Sequence, residues 1–367
     1  MQNSASFRPR RPSVAQTLGV LVAVLVLVSA GCSRDETGSQ DQASTTASTQ
    51  AASATTSTSF DVPDTTTPPE PAAKTPTTDS VATAVITYEQ VMVLGQNGDV
   101  VFDRPNHLAL DADDNLYVTE FTGGRVFVFS PSGELINQFA GPGDGIGQLN
   151  GPTGIAVDAD GDIYVGESGA SRVQKFSPEG EPITTWGQFG VDPGEFGSAM
   201  GIGINDDLGR VYVADHVNSR IQVFDLDGEL LFMFPGGGDF SQVGDAPGEL
   251  FLPIGVDLAA DGTVYVVDSG NARVQTFTPE GVFIGVFSTT PVVAPQVLSV
   301  QPDGSFWVSG PTDRVVAFLG PNGEFLATLV PPPNGFSLPH GTETTSDGTV
   351  WLADTGNNVV RAFRVTD

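Results

Sequence analysis

Residues 152–176 read PTGIAVDADGDIYVGESGASRVQKF, and the pattern returns at residues 253–277 as PIGVDLAADGTVYVVDSGNARVQTF. Each stretch has a run of β-branched and aromatic residues around a tyrosine, which indicates a β-strand. A glycine three residues before the tyrosine suits the tight turn of a hairpin. The pattern occurs six times at intervals of 42 to 53 residues, and its aromatic anchors are Tyr117, Tyr164, Tyr212, Tyr265, Trp307 and Trp351.

Positions that follow each anchor repeat as well. A phenylalanine or leucine stands twelve residues after every anchor, and a glycine stands sixteen residues after the first five. Each copy therefore contains four short strands joined by turns and loops, which is one four-stranded antiparallel blade of a β-propeller. Residues 85–367 contain no amphipathic helical pattern. We predict an all-β fold, a six-bladed β-propeller.

The sixth copy has no fourth strand, because the pattern reaches Asp367 where that strand would begin. A spare strand, residues 85–94, precedes the first copy and resembles the outer strands predicted at residues 134–140 and 324–330. Pairing this N-terminal strand with the last copy would remove open sheet edges and tie the two ends of the domain together. We therefore predict that the N-terminal strand closes the last blade.

The consensus of the repeat is PTGIAVD at residues 152–158, GDIYV at residues 161–165 and RV at residues 172–173. This consensus resembles the NHL repeat family, and the resemblance extends through all six copies. It implies the propeller fold. NHL propellers include protein-binding modules, RNA-binding modules and lyases, so the resemblance leaves the function open.

The N-terminal residues resemble an export signal. Arg8, Arg10 and Arg11 form a positive region, and a 13-residue apolar run from Leu18 to Ala30 follows. The run ends in VSAGC at residues 28–32, which resembles a bacterial lipobox and implies that Cys32 is lipidated and becomes the mature N-terminus. The alternatives are an ordinary signal peptide or an uncleaved anchor.

The segment after Cys32 is rich in Ser, Thr, Ala and Pro and nearly free of large apolar side chains. Such a segment cannot bury a core, so we expect a disordered tether. The predicted organisation is a lipoprotein signal peptide (1–31), a tether (32–84) and a propeller (85–367). We expect a lipid-anchored protein on the extracytoplasmic side of the membrane, which it contacts only through the anchor.

Charge and cysteine content exclude several classes of function. The chain has 44 Asp and Glu residues against 15 Lys and Arg residues, a net charge of −29. A surface this acidic repels phosphate backbones and anionic lipid headgroups, so we expect no nucleic-acid partner. The single cysteine, Cys32, excludes an intrachain disulfide framework and a cysteine-based zinc cluster.

Acidic and basic residues recur at fixed distances from the anchors. An acidic residue stands three places after five of the anchors, and an arginine stands eight places after the first four. This spacing puts a carboxylate and a guanidinium at the ends of one tight loop, where they pair. A pair repeated in most blades indicates scaffold. The last copy keeps Asp354 but has Val359 at the arginine position, which leaves that carboxylate free for another partner.

Metal ligands are incomplete in this sequence. Residues 111–115 and 158–162 have aspartates at alternate positions, as calcium sites do, but both fall at predicted hairpin turns. NHL-type lyases of peptidyl-α-hydroxyglycine hold zinc through Pro-His motifs on three blades, and only Pro339-His340 matches. Gluconolactonase-like propellers use a Glu/Asn/Asp cage, which Asn106 and Gln296 echo faintly. We predict no metal site and no cofactor, with calcium or zinc as the alternative.

One face of the propeller collects the candidate binding residues. In antiparallel blades, the start of the first strand, the loop from the second to the third strand and the loop between blades share this face, which we call the loop face. Its candidate residues are His340, Asn106, Gln296, Asp215, His216, Asn218 and Asp354. A long between-blade segment, residues 234–252, also belongs to it. Long loops on a rigid scaffold usually carry specificity.

We predict a binding, interaction or sensor module at the cell envelope. The negative charge favours a cationic peptide, an amine-bearing cell-wall component or a partner protein on the loop face. We expect a monomer without catalytic residues. The alternative is a metal-dependent propeller lyase or lactonase, similar to the peptidyl-α-hydroxyglycine lyases or the gluconolactonases.

Overall fold

The computed structural model describes residues 86–366, apart from residues 97, 99 and 237–242. The predicted signal peptide and the whole of the predicted tether, including Cys32, lie outside the described residues. Within the described part of the chain, no helix is both long and apolar enough to cross a membrane.

The described residues form six antiparallel sheets of four strands each, which confirms the predicted six-bladed all-β propeller. Blade I contains β2 (Pro105–Leu110), β3 (Leu116–Glu120), β4 (Arg125–Phe129) and β5 (Leu135–Ala140). Blade II contains β6 (Pro152–Val157), β7 (Ile163–Glu167), β8 (Arg172–Phe176) and β9 (Pro182–Trp186). Blade III contains β10 (Ala199–Asn205), β11 (Arg210–Asp215), β12 (Arg220–Asp225) and β13 (Leu230–Phe234).

The other three blades repeat this order. Blade IV contains β14 (Val256–Leu258), β15 (Val264–Asp268), β16 (Arg273–Phe277) and β17 (Phe283–Ser288). Blade V contains β18 (Val297–Val300), β19 (Phe306–Gly310), β20 (Val315–Leu319) and β21 (Phe325–Thr328). Blade VI contains β22 (Pro339–Thr344), β23 (Val350–Asp354), β24 (Val359–Val365) and β1 (Tyr88–Leu94). Single 3-10 turns occur at Asp206–Leu208, Ser269–Asn271 and Thr355–Asn357.

The ring is closed by the N-terminal strand β1. It pairs antiparallel with β24, with Tyr88 opposite Val365 and Leu94 opposite Val360. The first strand of each blade packs against the first strand of the next, and β2 of blade I contacts β22 of blade VI. These six inner strands therefore surround a central channel, and β1 provides the outer edge of blade VI.

The anchors explain why the blades pack together. Tyr164, Tyr212, Trp307 and Trp351 are almost completely buried. Each lies in one of six apolar clusters that fill the spaces between neighbouring blades. Burying one large apolar side chain contributes roughly 1.5 to 3 kcal/mol. The six clusters, one at each interface between neighbouring blades, therefore hold the ring together.

Turn chemistry agrees with the sequence pattern. Gly161 and Gly262, three residues before their anchors, have φ values of +85°. That conformation is unfavourable for residues with a Cβ atom, which explains why glycine occupies the turn between the first two strands. The residues of this turn lie on the face opposite the loop face.

Candidate functional site

Acid–arginine pairs join the loops of the loop face. In blade II, Arg172 Nε lies 2.5 Å from Glu167 Oε1, and the same guanidinium donates to the carbonyl oxygens of Asp144, Gly145 and Gln148 in the preceding between-blade loop. Corresponding pairs are Glu120–Arg125, Asp215–Arg220 and Asp268–Arg273. These carboxylates are completely buried and hold the loops in place.

Asp354 does not have the free carboxylate that the sequence suggested. Its Oδ2 lies 2.7 Å from Arg361 Nε, and its Oδ1 accepts a hydrogen bond of 2.7 Å from the Ser337 N–H. Asn357 donates to it as well, at 2.8 Å. The expectation failed because it considered position 359 alone. Side chains two residues apart on a strand share a face, so Arg361 takes the place of the missing arginine.

Blade V has also replaced its acid. Gly310 stands at the position of the buried carboxylate, and Asp313 Oδ2 instead accepts hydrogen bonds from the Val293 and Ala294 N–H groups, at 2.6 and 2.7 Å. By accepting from two loop N–H groups, the Asp313 carboxylate fixes this loop, as the buried carboxylates do in the other blades.

Asp215 and Asn218 are occupied within the fold. The Asp215 carboxylate is fully buried and accepts from Arg220 Nε at 2.8 Å, Asn218 Nδ2 at 2.8 Å and the Gly197 N–H at 2.8 Å. Asn218 also donates to the Gly190 carbonyl oxygen at 2.9 Å. Both residues lie on the loop face, where they order the loops and have little capacity left for a ligand.

His216 lies next to this cluster and is half-buried. Its Nδ1 is 3.2 Å from the Pro253 carbonyl oxygen, which connects the loop of blade III to the start of blade IV. Burial lowers the pKa of His216 from its ordinary value. The imidazole is therefore neutral at pH 7.

His340, Asn106 and Gln296 stand at or next to the starts of three consecutive inner strands, β22, β2 and β18. His340 Nδ1 lies 2.9 Å from the Leu338 carbonyl oxygen and 3.1 Å from Thr355 Oγ1. Burial lowers the pKa of His340 to about 4. Asn106 is buried, and Gln296 is half-buried. The residues that follow them, His107, Val297 and Gly341, line the channel cavity, whereas these three do not.

A second histidine adjoins His340. The register of β2 shifts between Pro105 and Leu108, a β-bulge that brings His107 to the channel wall. Burial first, and then the nearby charge of His340, lowers the pKa of His107 to about 3. Within the described residues, no group of three His, Cys, Asp or Glu side chains is placed to hold a metal ion.

The channel contains a cavity of about 220 Å³, lined by the inner strands of all six blades. One position of each inner strand faces the anchor of its blade in the strand register. The six residues at this position are Ala109, Ala156, Gly203, Asp257, Ser299 and Glu343. Blades I to III thus have small residues at this level of the channel, and blades IV to VI have polar ones.

Asp257 and Glu343, which we call the channel carboxyl pair, are half-buried and line the cavity. Asp257 Oδ2 accepts from the Val300 N–H at 2.7 Å, and Glu343 Oε2 accepts from Ser299 Oγ at 3.1 Å. Burial raises the pKa of Asp257 to about 6. Burial, followed by the charge of Asp257, raises the pKa of Glu343 well above its usual value. Such groups can exchange protons near neutral pH or bind a cation.

The sequence contained a signal for this pair that we missed. We compared the residues eleven places before the anchors, where no glutamate occurs. Asp257, Ser299 and Glu343 stand eight places before theirs, where the first two copies have alanine. A charged residue at an alanine position of an inner strand would have identified the channel.

Apolar side chains are exposed on the between-blade loops of the loop face. Val101, Ile146, Phe189 and Val293 are 75%, 71%, 75% and 71% exposed. Exposed aspartates stand in two of these loops, at Asp144 and Asp192, and Asp245 is exposed in the between-blade loop that precedes blade IV. The surface therefore combines apolar contact area with negative charge on one side of the molecule.

Comparison with known proteins agrees with the repeat pattern. A model of the NHL repeat matches residues 149–176, 196–224 and 252–277. Peptidyl-glycine alpha-amidating monooxygenase A of Xenopus laevis is 29% identical over 168 residues, which are 42% of this chain and 18% of that protein. The chain thus spans less than a fifth of the length of this relative.

Two solved structures show the same fold. A streptogramin B lyase superposes with a TM-score of 0.54 at 18% identity, covering 77% of this chain and 98% of the lyase. A gluconolactonase from Xanthomonas campestris superposes with a TM-score of 0.54 at 15% identity, covering 72% of this chain and 87% of the other. At these identities the likeness concerns the fold alone. The protein is a six-bladed β-propeller, and the NHL repeat model matches its blades II, III and IV.

Proposed function

We propose that the protein is a binding module of the cell envelope that takes a partner protein or peptide on its loop face. The observation that carries this proposal is the set of four apolar side chains, each more than 70% exposed, on the between-blade loops. Apolar side chains exposed on one face supply contact area for a partner. The adjacent aspartates favour a partner with lysine or arginine side chains.

The cellular setting belongs to the same proposal. Lipidation of Cys32 would anchor the chain, and the segment that follows would hold the propeller away from the membrane. The protein would then act as a monomer on the extracytoplasmic side, with an amine-bearing cell-wall component as an alternative ligand. The net charge of −29 argues against nucleic acid as a partner.

The test compares exposed apolar residues on two surfaces. Phe189→Ser and Val293→Ser alter the loop face, and Phe325→Ser alters the outer strand β21 of blade V, where Phe325 is 47% exposed. We expect the two loop-face variants to bind less of the proteins that the full wild-type chain captures from envelope extract. Phe325→Ser should bind as the wild type does, with thermal stability equal in all variants. Equal capture by all of them would contradict the proposal.

A second candidate function is that of a propeller enzyme. The observation that favours it is the channel carboxyl pair, because carboxyl groups with a raised pKa are suited to proton transfer. The relative and the two solved structures described above are also named as enzymes: a monooxygenase, a lyase and a gluconolactonase.

The enzyme candidate has its own test. The full chain would be assayed on a peptidyl-α-hydroxyglycine and on an aldonolactone, with zinc or calcium added and without. We expect turnover that falls about a hundredfold or more in Asp257→Asn if the pair supplies the acid or base. Stoichiometric zinc or calcium that survives dialysis would favour a metal-dependent enzyme, and absence of turnover under every condition would dismiss this candidate.

A further inference from the structure

The between-blade loops that precede blades II, III and IV share one backbone feature. Each contains an isolated parallel bridge that joins the two ends of the loop. The bridged pairs are Pro142 with Leu149, Phe189 with Phe196, and Val243 with Leu250. Because the bridges are equivalent, the three loops can be compared position by position.

Two exposed apolar residues in these loops replace polar or small ones. Val191 stands two residues after the first bridge residue of its loop, where the other two loops have aspartate. Phe251 directly follows the second bridge residue of its loop, where the other two have asparagine and glycine. The two side chains are 56% and 42% exposed. Both loops flank blade III, one on each side.

The loop from β11 to β12 in blade III differs in the same way. Val217 stands five residues after its anchor, where the other five copies have glycine or threonine. It is 47% exposed, and it lies against the preceding between-blade loop, because a Cβ atom at Gly197 would come within 2.6 Å of its side chain. The repeated scaffold therefore does not require an apolar residue at this position either.

The residues that follow Val217 join the loops on either side of it. Asn218 Nδ2 donates to the Gly190 carbonyl oxygen at 2.9 Å, and Ser219 Oγ accepts from the Leu252 N–H at 3.2 Å. These bonds bring the neighbouring apolar residues of the three loops together on the loop face. We call this surface the blade III patch, and its members are Phe189, Val191, Val217 and Phe251.

Acidic side chains border the patch. Asp192 and Glu195 lie in the loop before blade III, and Asp245 and Glu249 lie in the loop after it. Residues 187–198, 216–219 and 243–252 contain no lysine or arginine. Within the described residues, none of these four carboxylates forms an ion pair. The patch therefore combines exposed apolar area with an excess of negative charge.

We propose that the blade III patch is the centre of the contact on the loop face, and that it binds a segment of a partner protein in which an aromatic or large aliphatic side chain is flanked by lysine or arginine. This inference rests on the proposed function. The apolar side chain would pack on the patch, and the flanking cations would lie near the carboxylates around it. An apolar centre with a charged rim is the usual arrangement of a protein interface.

A second copy of this chain is a poor occupant of the patch. Each copy has a net charge of −29, so two copies repel each other. A cationic segment is attracted by the same charge, and charge complementarity therefore favours a different protein.

The experiment is selection of random dodecapeptides, displayed on phage, against the full chain. Selected peptides would be synthesised with a fluorescent label, and their binding would be measured by anisotropy. We expect them to contain tryptophan, phenylalanine or leucine beside lysine or arginine. Replacing the apolar residue by serine, or the basic residues by glutamine, should weaken each peptide about tenfold or more.

The decisive variant combines Val191→Asp with Val217→Thr. Both new residues occur at the equivalent positions of other blades or loops, so the fold should be retained. We expect the affinity for the selected peptides to fall about tenfold, because the apolar centre is lost. A surface that attracted cations by charge alone would bind them more tightly, since the exchange adds a carboxylate.

The matched control is Val282→Asp with Val286→Thr. It makes the same two exchanges at the outer strand of blade IV, where the side chains are 62% and 42% exposed. This control should bind the peptides as the wild type does. Thermal unfolding checks that both variants are folded.

Several results would overturn the inference: no selected peptide, selected peptides without basic residues, or equal binding by the decisive variant. A dimer in sedimentation velocity that the decisive variant dissociates would also overturn it, because the occupant would then be a second copy. The proposed function has a separate outcome. If capture from envelope extract falls in Val293→Ser but not in the decisive variant, the inference fails and the loop face remains a binding surface.

Discussion

Because of the Asp257 side chain, the protein should become less stable as the pH rises. The pKa of this side chain is about 6 in the folded chain against an ordinary 3.8, so the folded state holds a proton that the unfolded state releases between these values. The free energy of unfolding therefore falls as the pH rises through this window, by up to about 3 kcal/mol. In Asp257→Asn, urea unfolding from pH 4 to 8 should show a shallower fall. An unchanged slope would mean that the carboxylate is well solvated.

The buried carboxylate of Asp215, in contrast, should stabilise the folded state. Asp215→Ala would leave Arg220, whose side chain is only 4% exposed, without its partner. Breaking such a pair costs about 3 to 5 kcal/mol. Asp227→Ala, an exposed position of the same blade, should change the free energy of unfolding by less than about 0.5 kcal/mol. Similar values for the two variants in urea unfolding would show that the pair is not a structural one.

At the level of elements, strand β1 is the part of the ring most open to test. Tyr88 is buried and its ring meets that of Trp307 edge to face, with centroids 5.2 Å apart. Tyr88→Ala should therefore cost about 3 kcal/mol in urea unfolding. Val91→Ala, on the same strand but 46% exposed, should cost much less. Equal, small effects would indicate that β1 does not pack on blade VI.

The inner strands show where sequence reasoning reached its limit. The repeat spacing predicts the number of blades, since the anchors and turn glycines recur on every copy. Our comparison missed the channel wall because it used the position eleven places before each anchor, which falls inside a register shift in β2, β6, β10 and β22. The position eight places before the anchor lies beyond these shifts and pairs with the anchor on five of the six blades. Arg361 was missed for a related reason. It lies on the same face of its strand as position 359, but two residues further along the chain, and only position 359 was considered.

For the molecule as a whole, the ring separates two surfaces of different composition. The loop face carries exposed apolar side chains among aspartates, and the channel carries the carboxyl pair between blades IV and VI. Because the six blades repeat one pattern, a residue that differs in one blade can be recognised by comparison with the same position in the others. The sequence predicted the loop face from topology. The spacing predicted the Asp215–Arg220 pair, but not the bonds of Asn218 to Gly190 and of Asp354 to Ser337, since those bonds depend on neighbouring loops.

The most direct measurement for the binding module is site-specific photocrosslinking in the envelope of intact cells. A photoreactive residue would replace Phe189 on the loop face or Phe325 on the outer strand of blade V, in the full chain. The account predicts a discrete adduct with a second protein or peptide from position 189 and none from position 325. Adducts from both positions alike, or from position 325 alone, would contradict it.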